Sequence, residues 1–251
     1  MLKIEGLTKA YGNKKAVDNL SLHIQKGEIY GFIGHNGAGK TTTLKSCAGI
    51  LRFDAGEIFI DGISIKQDPI ACKKRIAYIP DNPDLYEFLS GVKYLNFIAD
   101  VYGVGKAERE ARIAKYAALF ELTGDLAQPV NAYSHGMKQK LILTGALLHD
   151  PETWLLDEPM TGLDPASSFQ LKQLMREHAD AGKTVLFSTH VLEVAERVCD
   201  RLSVIDRGKL LFVGTMSELK ERYAEDSSLE SLFLRLVNDS GSEGMTESFS
   251  L

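Results

Sequence analysis

One stretch, GHNGAGKT at residues 34–41, limits what this chain can fold into more than any other part of it. It fits the pattern G-x-x-x-x-G-K-[ST] and lies between the apolar run EIYGFI, which predicts a strand, and a helical pattern from Gly39 to about Ile50. Glycines allow the backbone to wrap closely round phosphate groups, with N–H groups pointing inward and the helix dipole behind them. We therefore expect a strand, a phosphate-binding loop and a helix in that order.

This loop supplies most of the predicted nucleotide contacts. Lys40 is expected to reach the β- and γ-phosphates of a nucleoside triphosphate, and the hydroxyl of Thr41 is expected to hold Mg²⁺. The predicted contacts in the loop and the first helical turn are Gly34, Asn36, Gly37, Ala38, Gly39, Lys40, Thr41 and Thr42. The pattern indicates nucleotide binding more strongly than it indicates which nucleotide is bound.

The rest of the chain predicts an α/β protein that is interrupted by helices. Strand patterns alternate with helical patterns, and the apolar runs WLL at 154–156 and VLF at 185–187 are typical of parallel strands that are covered on both faces. Residues 89–149 show helical periodicity throughout. We therefore predict an α/β core with an inserted all-α lobe.

The predicted boundaries follow from these patterns. The core comprises residues 1–87 and 150–220, and the helical lobe comprises residues 88–149. An amphipathic helix is expected at 221–237, packed on the core rather than touching a membrane. The segment 238–251 is rich in Ser, Gly and acidic residues, and we expect it to be poorly ordered.

Two acidic residues end a predicted buried strand in the sequence LLDE. In a protein with a phosphate-binding loop, an acid at such a strand end holds Mg²⁺, and a second carboxylate can polarise the attacking water. We predict that Asp157 contacts the metal and that Glu158 is the general base. Without the loop, the pair could equally be a solvated feature before Pro159.

His190 follows another apolar strand pattern, at the carboxyl edge where α/β sheets bind ligands. There it could donate to a γ-phosphate or orient water, although a lone histidine is more often structural. The six histidines show no metal-ligand spacing, so zinc is not expected. Asp164, in the segment TGLDP, is predicted by itself only as a helix N-cap.

Charge and composition give no support to some classes of function. The net charge of -5 supplies no basic surface for nucleic acid, and we expect no nucleic-acid partner. Cys47, Cys72 and Cys199 are odd in number and widely spaced, which favours reduced thiols in a cytosolic protein. The sequence shows no signal peptide and no run near the roughly 20 apolar residues that cross a bilayer, so a membrane function would need another subunit.

The segment YSHGMKQK at residues 133–140 predicts a helix start that lacks a negative charge. Ser134 is a good N-cap, but the first turn carries Lys138 and Lys140 and no acid. Unpaired N–H groups and the positive end of the helix dipole favour an anion there. Either the lysines simply point into solvent, or an anion from elsewhere completes this helix start.

Five motifs in this order resemble those of the ATP-binding subunit of an ABC transporter. They are the loop at 34–41, YSHGMKQK at 133–140, LLDEP at 155–159, TGLD at 161–164 and His190. The resemblance covers roughly residues 1–220 and implies a RecA-like P-loop NTPase core with an antiparallel β lobe and an inserted helical lobe. It also implies a head-to-tail dimer with two Mg·ATP between the subunits. Ser134 and Gly136 would then face the γ-phosphate held by the partner, which would be the missing anion.

The resemblance assigns roles to three further residues. Tyr11 matches the aromatic residue that stacks on adenine, and Asp164 matches the residue that signals between the two sites. Asp81 stands where the family usually has a glutamine that meets Mg²⁺ or its water, and capping of the Asn82–Pro83 turn is an equal alternative for it. The common sequence LSGGQ is also altered, to YSHGM, with the serine and the second glycine kept.

The leading hypothesis is an ATPase that uses ATP and Mg²⁺ as a dimer of cassettes, either a homodimer or a heterodimer, and drives an integral membrane permease subunit. Such a protein would be cytoplasmic and peripheral on the inner face of the cell membrane. The two departures from the common pattern most resemble bacterial exporter cassettes. The alternative is a soluble ABC ATPase without a transport role. A P-loop kinase would leave residues 133–140 unexplained, and a binding module without catalysis is disfavoured by Glu158 and His190.

Overall fold

The computed structural model describes residues 1–222 and 229–246, with side chains through residue 237, and its strands form two sheets. In chain order the strands are β1 (Leu2–Tyr11), β2 (Lys14–Ile24), β3 (Ile29–Ile33), β4 (Ala55–Ile60), β5 (Ile63–Ser64), β6 (Ile76–Ile79), β7 (Thr153–Asp157), β8 (Thr184–Thr189), β9 (Arg201–Asp206) and β10 (Lys209–Gly214). The helices are α1 (Lys40–Cys47), α2 (Pro69–Lys74), α3 (Gly91–Val101), α4 (Lys106–Leu119), α5 (His135–Leu147), α6 (Pro165–Asp180), α7 (Leu192–Val198), α8 (Met216–Arg222) and α9 (Leu229–Thr246).

The larger sheet has the strand order β10-β9-β3-β8-β7-β6, and its neighbours are parallel except for β10 with β9. Every residue of β3, β7 and β8 is buried, as expected for parallel strands with helices or a second sheet on both faces. The register pairs Ile33 with Thr189 and Asp157 with Ser188. The carboxyl ends of β3, β7 and β8 therefore meet at one edge of the sheet.

The smaller sheet is antiparallel, with the order β2-β1-β4-β5. Its buried face, which includes Leu2 and Ile4, shares one hydrophobic cluster with Leu44 of α1 and with Tyr30 and Leu186 of the larger sheet. Each such fully buried side chain contributes roughly 1.5–3 kcal/mol through removal of apolar area from water. Helix α1 is thus held between the two sheets, and the loop that precedes it is held with it.

Helices α3, α4 and α5 lie between β6 and β7 in the chain and pack with α6 on the other face of the larger sheet. One cluster joins Leu95 of α3, Ala117 of α4, Leu141 of α5 and Leu171 of α6 to Phe187 of β8. The inserted helices therefore share their hydrophobic core with the sheet. The boundaries of the lobe at 88 and 149 stay a prediction.

The chain end differs from the expectation of one helix at 221–237. Helix α8 ends at Arg222, residues 223–228 lie outside the described part, and α9 begins at Leu229. Helix α9 then extends through 238–246, into the segment expected to be poorly ordered. That stretch contains no proline, and a helix that has already formed propagates more easily than it starts. The rest of the predicted tail, 247–251, lies outside the described residues.

Helices α8 and α9 form a third hydrophobic cluster with the end of the larger sheet. Leu219 of α8 and Leu229, Leu232 and Leu236 of α9 are buried there against Phe212 of β10. Among residues 1–222 and 229–246, no helix has the length and apolar character needed to cross a membrane.

Candidate functional site

The loop that connects β3 to α1 needs its glycines for steric reasons. A Cβ on Gly34 would lie 2.5 Å from the carbonyl oxygen of Ile205, and one on Gly39 would lie 2.5 Å from that of Ala16. Gly37 has a φ of 84° and Gly39 a φ of 117°, which are conformations that favour glycine. A Cβ on Gly37 would meet nothing within 4 Å, so that part of the loop is open to a ligand.

The start of α1 concentrates positive charge beside this loop. Its N-cap, Gly39, has no side chain to satisfy the first N–H groups, and the first turn carries no acid. Lys40 is only 5 % exposed, and its Nζ donates to the carbonyl oxygens of Gly34, at 2.5 Å, and His35, at 3.3 Å. The adjoining cavity of about 140 Å³ is lined by Ala16, His35, Asn36, Gly37, Gly39, Lys40, Thr41, Thr42, Asp81 and Glu158. This is a site in which phosphate groups fit.

Asp157 is completely buried at the end of β7. Its Oδ1 accepts a hydrogen bond from Ser188 Oγ at 2.6 Å, whereas its Oδ2 is buried without a partner among the described residues. Burial raises the pKa of Asp157, and the hydrogen bond from Ser188 and the nearby hydroxyl of Thr41 oppose that shift. A carboxylate oxygen without a partner beside a threonine hydroxyl fits the oxygen ligands that Mg²⁺ prefers. Thr41 and Asp157 therefore fit a Mg²⁺ site.

Glu158 joins two other predicted site residues. Its φ of 49° lies in the left-handed region, which is uncommon for a residue other than glycine. Its side chain, 14 % exposed, places Oε1 3.3 Å from Lys40 Nζ and Oε2 3.0 Å from His190 Nδ1. The backbone N–H of Glu158 also donates to Ser188 Oγ at 3.1 Å. One carboxylate at the edge of the cavity thus contacts both Lys40 and His190.

Asp81 makes the alternative contact predicted for it and also faces the site. Its Oδ1 accepts a hydrogen bond from the backbone N–H of Asn82 at 2.8 Å, so it caps the turn. The same residue lines the cavity beside Thr41, and its negative charge helps to raise the pKa of Asp157. The capping contact therefore does not remove Asp81 from the site, and a role toward Mg²⁺ stays a prediction.

The start of α5 lies away from this cavity, whose lining includes neither Ser134 nor Gly136. Ser134 is the N-cap of α5, and its Oγ accepts a hydrogen bond from the N–H of Met137 at 3.2 Å. The side chains of Lys138 and Lys140 form ion pairs with acidic residues of the same chain. Acids of the same chain therefore account for these lysines, and a partner's phosphate opposite Ser134 stays a prediction.

The acids come from segments that are distant in the sequence. Lys138 Nζ lies 2.6 Å from Glu87 Oε1, and Lys140 Nζ lies 2.7 Å from Asp164 Oδ2. Asp164 is also the N-cap of α6, where it accepts from the N–H of Ser167 at 2.8 Å. The hydrogen bond from Lys140, followed by those from Ser167, holds the pKa of Asp164 well below its usual range.

The segment before α6 packs directly on the start of α5. A Cβ on Gly136 would lie 2.6 Å from the carbonyl oxygen of Gly162. Gly162 itself has a φ of 78°, and a Cβ there would collide with the ring of His135. The two segments therefore form one surface, and the close approach requires glycine at both positions.

Tyr11 was predicted from the sequence to contact the nucleotide, whereas Ser188 and Ala16 were not predicted to belong to the site. Tyr11, at the end of β1, is 54 % exposed and does not line the cavity, so its contact with adenine stays a prediction. Sequence reasoning missed Ser188, which orients Asp157, although a serine inside a buried apolar strand was a usable signal. It also missed Ala16, which approaches the loop through its backbone carbonyl and gives no side-chain signal.

Known proteins are similar to this chain in sequence and in fold. Residues 17–161 match the family described as ABC transporter. The chain is 33 % identical over 230 residues to the linearmycin resistance ATP-binding protein LnrL of Bacillus subtilis (strain 168), covering 92 % of this chain and 74 % of that protein.

Two solved structures are similar to the chain over most of its length. One is an ATP-binding subunit of an ABC transporter, with a TM-score of 0.90, 33 % identity, and coverage of 94 % of this chain and 99 % of that one. The other is a dimeric bacterial ABC transporter cassette, with a TM-score of 0.79 and 26 % identity. The similarity covers 86 % of this chain and 99 % of that one. The predicted fold class, an α/β P-loop core with an antiparallel sheet and inserted helices, is confirmed.

Proposed function

Because the chain belongs to the ABC transporter family and is an ATPase cassette of that family, we propose that it works as a dimer of cassettes around two Mg·ATP. Hydrolysis of this ATP drives transport through a separate membrane-spanning subunit. The observation that carries the catalytic part is the position of Glu158 between Lys40 and His190, at the edge of the phosphate cavity.

The contacts of Glu158 suit a general base for hydrolysis. Its carboxylate is the acid that reaches both the lysine of the loop and the histidine at the end of β8, so it lies where a water attacking the γ-phosphate would be. His190 orients this carboxylate and can donate to the phosphate. Mg²⁺, held by Thr41 and Asp157 with Asp81 facing it or its water, would offset the negative charge of the phosphates.

The variant Glu158→Gln tests this assignment. Glutamine keeps the shape of the side chain but accepts a proton far less readily, so we expect kcat to fall by about 10²–10⁴-fold with ATP binding kept. Phosphate release measures the rate, and titration of the purified protein with a fluorescent ATP analogue measures binding. The matched control is Glu177→Gln, the same change on the exposed face of α6. Hydrolysis at the normal rate in Glu158→Gln would show that another group is the base.

A dimer would use the start of α5, which the phosphate cavity of the same chain leaves out. The similar solved cassette is dimeric, and this chain carries both kinds of surface: its own phosphate loop and the capped helix start at Ser134 and Gly136. We place these two residues opposite the γ-phosphate held by the other cassette. A complete set of motifs in one chain makes a homodimer feasible, and a heterodimer would use the same contacts.

An exposed apolar surface supports a membrane partner. Four apolar residues at or near α3 are exposed, and we call them the aromatic patch: Tyr86, Phe88, Phe97 and Val101. Phe88 is 95 % exposed, and Tyr86 contacts Phe97 edge-on, with ring centroids 5.6 Å apart. Exposed apolar groups of this size mark interaction sites. We assign the patch to a cytoplasmic segment of the permease subunit, which would hold the cassette at the inner face of the cell membrane. The relative named for linearmycin resistance favours export as the direction.

Co-purification from detergent-solubilised membranes tests this partner. The native cassette should retain a protein with several long apolar segments, encoded in a neighbouring reading frame, and Phe88→Ser should lose it. The control is Ile70→Ser, an exposed isoleucine on α2 outside the aromatic patch. If no membrane protein is retained and no neighbouring frame encodes one, a soluble ABC ATPase without a transport role is the better assignment.

A further inference from the structure

His190 lies in the short connection between β8 and α7. Its side chain is half-exposed, and its ring Nδ1 lies 3.0 Å from Glu158 Oε2. The backbone N–H of His190 donates to the same oxygen at 3.4 Å, and that of Val191 donates to Thr189 Oγ1 at 2.9 Å. Helix α7 then begins at Leu192. The direction of the His190 ring therefore depends on where β8 ends and on where α7 begins.

Helix α7 is short and depends on its neighbours for its position. It has seven residues, and its N-cap makes no side-chain hydrogen bond to the first N–H groups. Helices of this length are not stable alone in water, so packing has to hold this one. Val194 and Val198 pack on the main cluster of the inserted helices, whereas Ala195, the buried residue of α7, lies in the cluster of α9. Lys220 Nζ of α8 also lies 3.4 Å from Glu196 Oε1, so the two C-terminal helices hold one face of α7.

Helix α9 turns an apolar face toward α7 and the end of the larger sheet. Three leucines of α9 are buried in the cluster that contains Ala195. Phe233 is partly buried against this cluster, and so is Leu192 at the start of α7. Phe233, Leu192 and His190 also line one cavity of about 230 Å³, together with the first residues of the phosphate loop. An aromatic ring of α9 thus borders the same space as His190 and the start of α7.

We propose that Phe233 is a positioning residue for ATP hydrolysis and that it acts on His190 through the start of α7. Its ring occupies space beside Leu192, and removal of the ring would let the start of α7 move and draw His190 away from Glu158. Side chains around a cavity shift more easily when one of them is shortened, because contacts are lost on one side. The inference rests on the role proposed for His190 in hydrolysis and extends that role to α9.

ATP binding should not depend on Phe233. The phosphate loop borders the same cavity, but its glycines hold it from the other side. Gly34 approaches the carbonyl oxygen of Ile205 in β9, and its added Cβ would lie 2.5 Å from that oxygen. Gly39 approaches the carbonyl oxygen of Ala16 in β2 equally closely. A change at Phe233 should therefore separate hydrolysis from binding, whereas a general loss of folding would lower both.

The first experiment compares Phe233→Ala with Leu234→Ala. Leu234 is the next residue of α9 and is 56 % exposed, so it is the matched control and should keep the native rate. A misplacement of about 1 Å can cost about 100-fold, and the remaining contact with Glu158 limits the shift of His190, so kcat should fall about tenfold in Phe233→Ala. Kd for a fluorescent ATP analogue should change less than about twofold. A native kcat in Phe233→Ala, measured by phosphate release, would overturn the proposal.

The second experiment shows whether Phe233 acts through His190. Phe233→Ala is combined with His190→Ala, and hydrolysis is followed with the protein in excess over ATP so that slow rates remain measurable. If Phe233 positions His190, its removal costs about tenfold in the native chain but less than about twofold when the His190 ring is already absent, because residues that act together are not additive. An equal loss in both backgrounds would indicate a merely structural role and would overturn the proposal.

The outcomes distinguish this proposal from the proposed function. Impaired hydrolysis in His190→Ala with additive losses would overturn the positioning role alone. A native rate in His190→Ala would overturn the proposed role of His190 and the positioning role with it. If Phe233→Ala does not fold, Phe233→Leu takes its place in the cycle with an expected loss of about threefold, because leucine keeps an apolar side chain of smaller volume.

Discussion

Helices α1 and α5 both begin without an acidic residue in the first turn, yet the two helix starts are completed in different ways. Helix α1 starts at a glycine that cannot cap it, and the loop before it lines a cavity with Lys40. Helix α5 starts at Ser134, which accepts from one of the free N–H groups, and its two lysines are paired with acids of the same chain.

This difference shows what an acid-free helix start indicates. At α1 the positive end of the dipole, the open glycine loop and a buried lysine all favour one occupant, an anion that the chain does not supply at the cap. At α5 the chain supplies its own partners. Ser134 accepts from a free N–H group, and Glu87 and Asp164 pair with the two lysines. Absence of an acid from the first turn is therefore weak evidence for a ligand until the tertiary partners are known.

The largest difference between the two helix starts is expected in ATP binding, when one lysine is removed from each. Lys40→Ala removes a buried cation expected to make charge-assisted hydrogen bonds to phosphate, so Kd for ATP should rise about 100-fold. Lys138→Ala removes an ion pair with an exposed glutamate, and Kd should change less than about twofold. Calorimetric titration with ATP measures both. Equal losses in the two variants would mean that the helix starts do not differ in function.

The next largest effect concerns the dimer. Ser134→Arg should lower ATP hydrolysis by about 100-fold while ATP binding by the monomer stays unchanged, because the residue does not line the cavity of its own chain. Phosphate release and titration of the dilute protein separate the two readouts. Ser134→Ala is the milder companion and should cost roughly 1 kcal/mol of stability through the lost cap. Loss of monomer binding in Ser134→Arg would indicate a purely structural helix start.

A smaller effect is expected where α5 meets the segment before α6. Gly136→Ala would place a Cβ 2.6 Å from the backbone oxygen of Gly162, and such overpacking should lower the free energy of unfolding by about 1–3 kcal/mol. Gly105→Ala is the control, because a Cβ there meets nothing within 4 Å. Urea unfolding measures both variants. If they unfold alike, the two segments do not pack as closely as described.

The smallest effect is the charge of Asp164. Its pKa is lower in the folded chain, so its stabilisation is present above about pH 4, the usual range of Asp, and is lost as the pH falls through the folded value. Asn caps helices as well as Asp does, so Asp164→Asn should remove the charge effect, less than about 1 kcal/mol at an exposed side chain. The difference in free energy of unfolding between the native chain and the variant should shrink on acidification. A difference that grows instead would contradict the pairing with Lys140.

Much of the phosphate cavity could be predicted because its parts are local in the sequence. The loop before α1, Asp157 and Glu158 after one strand and His190 after another each follow a strand end, and parallel strands bring such ends to one edge. The contact of Glu158 with both Lys40 and His190 agrees with that expectation. The predicted roles of these residues in ATP hydrolysis are what the variants above test.

The pairings at α5 could not be predicted from local pattern. Lys138 with Glu87 and Lys140 with Asp164 join segments that are far apart in the chain, and nothing in either segment specifies the other. The same holds for His35 with Asp206, where a loop residue meets the end of β9. The extent of α9 was missed because its composition suggested a tail, whereas the helix is anchored by the apolar residues at its beginning.

The sequence by itself determined the order of strands and helices, the phosphate loop, and which residue types stand at the strand ends, because these depend on periodicity and on spacing within short segments. Only the tertiary structure decided which charges are paired. Whether a lysine meets a carboxylate depends on positions to within about 4 Å, the range of an ion pair. Such distances are set by the packing of α5, α6 and the sheets against one another and not by any one segment. That packing leaves the start of α1 at Lys40 beside a cavity that a ligand can enter, and it gives the start of α5 at Ser134 partners from the same chain.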